Sequence, residues 1–450
     1  MPTESGAGRS LSSMERAIWM ARHAGSYNCL AIAEIQGRLS PEQLRSALDA
    51  VQSRQTFLRV RIRQEKGRVF FQPGDTPSVP FRVVQAPAAG WVAEAERELL
   101  TPISLETGPL LRCVQIRHPG DASTLLLNCS HIMADGFACA HLLHDILRAA
   151  AGPQERACTP DPGPLHMPPS MFDRLPARAR GLRGFLRMIR LLTWDFFYNL
   201  RSGGFPRRLR FGSWPPFSER RSRLIPVVCD EAFTQRLLAR ARREQTTVHG
   251  ALCAAGLLAV SRVMTDGSPR ALACTSSVDM RSRLEPPVGE ELGLFVSVLW
   301  SVQKVWRDRP FWDLARAVRE NLGRKLEADC HLAGLTSSNW FVPLMERILP
   351  RTPAGSSRYA RMVESSMLNY RGTGVSNGGA MEISGDFGPF RIVSFRGAVS
   401  LLNTGYFTAL VSTFNGRLYI NYVYNEPLIS TARAERLAAT AQDALKAALL

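Results

Sequence analysis

Long apolar runs are missing from this 450-residue chain. No stretch holds the roughly 18–20 uncharged apolar residues that a bilayer-spanning helix requires. The small-residue run from Thr247 through Met264 is too short to span and reads as a buried core helix. Met1 to Ser10 is polar and glycine-rich, lacks the apolar centre of a signal peptide, and reads as a flexible tail. Paired cysteines are missing too. The nine cysteines include no C-x-x-C step, which excludes the common zinc frameworks. Their odd number and their apolar surroundings predict reduced, buried thiols in a cytoplasmic chain. Acidic residues are scarce, 39 against 56 lysines and arginines, for a net charge of +17. That excess either solubilises the surface or attracts an acidic partner such as a phosphate-bearing cosubstrate, an acidic protein or an anionic membrane. No zinc finger or RNP motif accompanies it, so no nucleic-acid partner is expected. There is no fixed-period repeat. There is also no G-x-S-x-G elbow or Ser/His/Asp order, so serine-nucleophile chemistry has no motif to rest on.

What is present is a chain about three domains' worth in length, with 45% apolar and 21% charged residues, enough for sizeable cores. Ser12 or Ser13 caps a first helix to about Arg22, and Asn28 to Ile35 reads as a strand. Ser40-Pro41-Glu42 starts a helix with a capping side chain, proline at its first position and an acidic first turn. Strands are expected at 58–62, 68–72, 110–116 and 124–129, with a helix over 92–100. Ala151 to Pro169 turns proline-rich and polar and reads as a crossing between lobes. Beyond it, Arg174 to Arg210 interleaves ten arginines with bulky apolar residues, among them Phe185, Leu186, Ile189, Trp194, Phe196 and Phe197. A basic amphipathic helix of this kind lies on an anionic membrane, grips an acyl-lipid, or packs its apolar side on its own domain. The second half predicts strands at 224–228, 294–305, 367–370, 390–395, 407–413 and 418–424, the last two joined by an Asn415-Gly416 hairpin. Mixed strands and helices point to α/β layers. The boundaries read as a tail over 1–10, an N-terminal lobe over 11–170, a basic crossover over 171–215 and a C-terminal lobe over 216–450.

The most informative stretch is Ser130-His131-Ile132-Met133-Ala134-Asp135-Gly136. An apolar strand leads in and a helical pattern, Phe137 to Ala150, leads out. A histidine at a strand end can act as a general base near neutral pH. An acyl group arriving as a thioester is already activated, so no enzyme nucleophile is required. At a tight strand-to-helix turn Asp135 points away from His131 and anchors the loop, with an arginine of the other half as its natural partner. Gly136 stands where the chain must turn and can offer an N–H to a developing oxyanion. His141 and His144 lie three apart but lack the spacing of a metal site. Cys129 precedes His131 in a strand and should face away from it.

This segment resembles the H-x-x-x-D-G signature of the thioester-dependent acyltransferases. That superfamily includes chloramphenicol acetyltransferase, plant BAHD and alcohol acetyltransferases, polyketide-associated acyltransferases and nonribosomal peptide condensation domains. Thr56-Phe57-Leu58-Arg59-Val60 is similar to the family's opening, and Val278-Asp279-Met280-Arg281 with Gly293-Leu294-Phe295-Val296-Ser297 to its second-lobe arginine motif. Ser376-Asn377-Gly378-Gly379 and Met367-Leu368-Asn369-Tyr370-Arg371 both resemble late motifs, and both stay open. The resemblance implies an α/β fold of two similar chloramphenicol-acetyltransferase-like lobes, each a mixed sheet flanked by helices, with a channel between them. It makes His131 the base, Asp135 a structural carboxylate, Gly136 the turn glycine and Arg281 the anchor of Asp135. Asn369, Ser376 and Asn377 become channel-lining candidates. It implies no bound cofactor and no metal. An acyl-CoA or acyl-carrier-protein thioester would be the cosubstrate, an acidic carrier protein a partner, and an alcohol or amine the acceptor. Two departures stand out. Ser130 occupies the place of a second histidine usual in condensation domains, which favours esters over amides. Pro389 replaces the tryptophan of the BAHD D-F-G-W-G motif in Asp386-Phe387-Gly388-Pro389-Phe390. With no carrier serine motif or adenylation segment adjoining, a free-standing enzyme is expected. The alternatives are a free-standing amide-forming condensation enzyme and a non-catalytic carrier-binding homologue.

Overall fold

The computed structural model describes residues 8–152, 167–366, 368–402 and 405–450, without the side chains of 368 and 369. The first half runs β1 (Arg9–Ser10), α1 (Ser13–Ala21), β2 (Asn28–Gly37), α2 (Pro41–Arg54), β3 (Val60–Glu65), β4 (Arg68–Pro73), β5 (Phe81–Gln85), α3 (Trp91–Leu100), β6 (Leu111–His118), β7 (Ala122–Ser130) and α4 (Gly136–Ala151). After the crossing come α5 (Gly181–Ser202), β8 (Arg221–Cys229), α6 (Glu231–Arg243), α7 (Val248–Val263), β9 (Arg270–Asp279) and β10 (Val296–Val305). The remainder is α8 (Phe311–Glu327), α9 (Cys330–Ile348), α10 (Pro353–Ser366), β11 (Gly372–Ala380), β12 (Phe390–Val399), β13 (Phe407–Phe414), β14 (Arg417–Glu426) and α11 (Thr431–Ala447).

Two mixed sheets carry the lobes. The first has the order β12-β2-β7-β6-β5 and the second β10-β9-β11-β13-β14-β8. The central strands of the first sheet explain their own sequences. β7 alternates Leu125, Leu127 and Cys129 into a core under α2 and α4, and Leu126 into a second core against α3. β2 does the same, with Cys29, Ala31 and Ala33 on one side and Leu30 and Ile32 on the other. A strand buried on both faces must be apolar throughout, which is why Leu125 to Leu127 forms an unbroken run. In the second lobe α7, almost wholly buried, packs between α8, α11 and β11.

Three sequence boundaries shift. Residues 9–10, assigned to the tail, form β1 on β4, with Arg9 opposite Phe71, because Arg9 pairs with Glu15 at 2.7 Å and stacks on Phe71. The C-terminal lobe does not keep all of 216–450. β12 crosses over and pairs antiparallel with β2 in the first sheet, placing Phe390, Ile392 and Phe395 in the first core. It also binds the second sheet, since Asn421 Nδ2 donates to the Gly397 carbonyl at 2.9 Å and Ser412 Oγ to that of Phe395 at 2.8 Å. Of the strand expected at 367–370, residue 367 lies outside the described residues and the rest is a short turn, Leu368–Arg371, so the strand starts at Gly372. Its glycine-rich sequence carries little strand propensity. It is nonetheless held parallel between β9 and β13, and at Gly372 a Cβ would fall 1.7 Å from the Ala273 carbonyl oxygen.

Candidate active site

β7 ends at Ser130, which is buried opposite Asn28, and the chain turns over His131 to Met133 before α4 begins. Ile132, Met133 and Ala134 are fully buried, so the turn is clamped from below by its own side chains. His131 is half-buried above them. Its Nδ1 lies 2.8 Å from the Ala134 carbonyl oxygen. A carbonyl only accepts, so Nδ1 carries the hydrogen, and in the neutral ring the lone pair is on Nε2. The Cys29 thiol also bonds to the ring from below.

Asp135 is the N-cap of α4 and the hub of the lobe interface. Its Oδ1 accepts from the Ala138 amide at 2.9 Å, satisfying a first-turn N–H. Its Oδ2 accepts from the Phe295 amide at 2.8 Å. Arg281 closes on both oxygens, at 3.0 and 3.1 Å, and also reaches Asp279 Oδ1 at 3.1 Å. The Asp135 amide donates to the Gly293 carbonyl at 3.1 Å. One carboxylate therefore ties the histidine loop of the first lobe to β9, β10 and the Gly293 loop of the second. Burial works to lower the Arg281 pKa, but Asp135 and Asp279 outweigh it and raise it. The pair is a bidentate, nearly buried bridge whose carboxylate also accepts two backbone amides, while the buried Arg281 Nε has no hydrogen-bond partner among the described residues.

Gly136 differs from its expected role. It is the first residue of α4, not a left-handed turn, and it is exposed. A Cβ there would meet no atom within 4 Å. The turn is made one step earlier, by the His131–Met133 segment, so glycine is not required by backbone or packing. It leaves open space at the helix N-terminus, next to the histidine loop. Ser376 and Asn377 sit on β11 in the second sheet, where Asn377 Oδ1 accepts from the Gly379 amide at 2.9 Å and shapes its own turn. The side chain of Asn369 lies outside the described residues.

Sequence reasoning missed the sulfur layer under His131. Cys29 on β2 stands opposite Cys129 on β7, and its Sγ lies 3.2 Å from Cys139 Sγ of α4 and 3.4 Å from the Ala134 carbonyl. Cys139 pulls the Cys29 pKa down to about 6 against the opposing effect of burial, with His131 adding to the pull. For His131 burial acts downward, but Cys29, the Ala134 carbonyl and Asp135 together raise the imidazole to about 9. No short-range signal links Cys29 to His131, because their proximity comes from strand pairing. Among the described residues no three His, Cys, Asp or Glu side chains are grouped to hold a metal ion.

A two-sheet fold joined through a histidine-bearing loop and a buried Asp–Arg bridge is the frame for the comparisons with known proteins. Residues 10–159 match the condensation domain family, and residues 218–349 match the C-terminus of phthiocerol/phthiodiolone dimycocerosyl transferase. These two partial matches, with the fold, support a chloramphenicol-acetyltransferase-like condensation and acyltransferase superfamily. Its fold is similar to that of the trichothecene 15-O-acetyltransferase from Fusarium sporotrichioides, with 12% identity, TM-score 0.73 and coverage of 100% of this chain and 97% of the other. It is also similar to polyketide synthase associated protein 5 from Mycobacterium tuberculosis, with 16% identity, TM-score 0.63 and coverage of 98% and 99%. In sequence it is 24% identical over 129 residues to tyrocidine synthase 3 of Brevibacillus parabrevis, covering 29% of this chain and 2% of that protein. The chain thus spans a small fraction of that relative's length.

Proposed function

We propose that this chain transfers an acyl group from a thioester to a hydroxyl or amine acceptor, with His131 as general base. The observation that carries the reading is the Nδ1 tether to Ala134, which orients the ring and keeps the Nε2 lone pair available. In the step, Nε2 takes the proton of the acceptor as its oxygen or nitrogen attacks the thioester carbonyl. The tetrahedral oxyanion collapses, the C–S bond breaks, and the leaving thiolate recovers the proton from the imidazolium. The open N-terminal end of α4 at Gly136 is a favourable place for the transient negative charge. Asp135 and Arg281 act by positioning: they hold the loop and set the distance between lobes. Ser130 in place of a second histidine supports ester formation. The condensation-domain match over residues 10–159 supports an amine acceptor. The excess of basic residues supports a polyanionic donor, either acyl-CoA or an acidic acyl carrier protein.

The test is to supply the purified protein with acyl-CoA and acyl-carrier thioesters, and with alcohols and amines as acceptors, following products by mass spectrometry. Transfer that is lost in His131→Ala supports the reading. Transfer that persists undiminished in that variant sinks it.

A further inference from the structure

We propose that the outer face of α5, together with the last turns of α9, docks on an anionic lipid bilayer. The two helices pack on each other, with the Phe185 and Trp340 rings 4.7 Å apart. The inner side of α5 is buried through Gly184, Met188 and Leu191. The opposite side is apolar as well. Leu182, Leu186, Ile189, Phe196, Phe197 and Leu200 recur at helical spacing, and each is at least 45% exposed. On α9 the residues Trp340, Phe341, Leu344 and Ile348 form a second exposed stripe. Of the 18 exposed large apolar side chains among the described residues, 13 fall in these two segments or at Phe205 just beyond α5. Scattered exposed apolar residues are ordinary, but concentration on one surface marks a contact face.

The charge around this face selects the occupant. Arg183, Arg190 and Arg201 are exposed along one flank of the α5 stripe, and Arg347 is exposed on α9. The nearby carboxylates are all turned away or neutralised. Asp195, the sole acidic residue within α5, faces Lys325 at 2.8 Å. Asp329 is held by Arg178 and Arg187, and Glu346, nearly buried, by Arg16 and Arg351. An apolar strip flanked by unopposed arginines fits the interface of an anionic membrane, with the rings in the acyl boundary and guanidinium groups among the phosphates. Among the described residues no single helix is long and apolar enough to cross a membrane, so the proposed contact lies in the plane of the surface. The same helix α9 leads inward: Leu332 and Leu335 of its first turns pack with Phe295, whose amide binds Asp135. The docking face and the base-bearing loop thus share one element.

The experiment is flotation of the full chain with vesicles of phosphatidylcholine, with and without phosphatidylglycerol. Binding should be about tenfold or more stronger on the anionic vesicles and should weaken with salt. Phe196→Ser/Phe197→Ser should abolish it. Arg183→Gln/Arg190→Gln/Arg201→Gln should weaken it on the order of a hundredfold, at about a fivefold effect per arginine. All five side chains are exposed, so melting temperatures should stay at the wild-type value. Absence of binding at low salt, or equal binding to both vesicle types, overturns the proposal. So does a dimer in light scattering that the phenylalanine pair converts to monomer, since a second copy would then cover the face.

Discussion

Each lobe holds a histidine beside a cysteine, and the comparison separates chemistry from packing. His131 in the first lobe lies against Cys29, and His249 at the start of α7 lies 3.5 Å from Cys253 Sγ. In both, burial acts to lower the imidazole pKa and the cysteine raises it above its ordinary value. Electrostatics alone therefore does not tell them apart. Hydrogen bonding does. His249 gives its Nε2 to Ser276 Oγ at 2.8 Å, and Ser276 is only 2% exposed, so the pair is closed off. His131 gives Nδ1 to a backbone carbonyl, and in the proposed reaction its Nε2 receives the acceptor's proton. His249 has no counterpart of the Asp135 hub. A base is recognised by which nitrogen is left over and by what holds the loop beneath it.

Replacing each histidine should break the comparison most visibly. His131→Ala should cut the turnover of acyl transfer by roughly 10²–10⁴-fold, the range for loss of a positioned base, while the fold persists. His249→Ala should change turnover by no more than a few-fold but lower stability by about 1–3 kcal/mol, because the buried Ser276 hydroxyl loses its partner. Thermal melting and steady-state rates measured on both variants check this. A turnover loss larger at His249 than at His131 would invert the assignment.

Arg281→Ala comes next. It strips the cation from a carboxylate that is nearly buried, a change that costs about 3–5 kcal/mol where an ion pair is well enclosed. The Ala138 and Phe295 amides still hold Asp135, so the lower end of that range is expected. Urea denaturation reads it directly. A loss below about 1 kcal/mol, the value for surface pairs, would show that the bridge is not what joins the lobes.

These residues also mark how far the sequence could be read. His131 and Asp135 stood out because local patterns carried them, a strand end and a helix start, whereas Arg281, 146 positions from Asp135, was named as its anchor through the family resemblance. The alternation of cores explains why β2 and β7 were found. Three things were not legible. The move of β12 into the first sheet is a topological choice that leaves no period in the sequence. The glycine-rich strand β11 runs against propensity and is imposed by its two neighbours. The Cys29–Cys139 contact joins residues 110 apart through strand pairing, and nothing near either cysteine signals it. The doubly apolar surface of α5 was visible as composition, but which side was buried was not.

Gly136→Ala tests a smaller effect and separates space from fold. Alanine at the first position of α4 meets no neighbour and favours the helix, so stability should hold or rise by up to about 1 kcal/mol. Turnover should fall several-fold, because the methyl group occupies the room beside the histidine loop. Rates that match wild type would place the reacting carbonyl elsewhere along the loop.

The subtlest difference between the two histidines lies in what the neighbouring cysteine does to the proposed base. Catalysis needs the neutral imidazole, so kcat/KM should rise with pH and level off above the His131 pKa, near 9 in the free protein. Cys29→Ala removes the group that most strongly opposes the downward effect of burial. The sign then follows: without that sulfur the imidazolium is less favoured, its pKa falls toward or below the ordinary value of about 6.5, and the rising limb moves to lower pH. At neutral pH a larger fraction of the base is then free, so the variant should be faster there and unchanged on the plateau. Cys253→Ala, which relieves His249 in the same way, should leave the pH–rate profile where it is. A limb that stays near 9 in Cys29→Ala would mean that the Ala134 carbonyl and Asp135 set the base by themselves, and that the sulfur layer serves only to pack the loop.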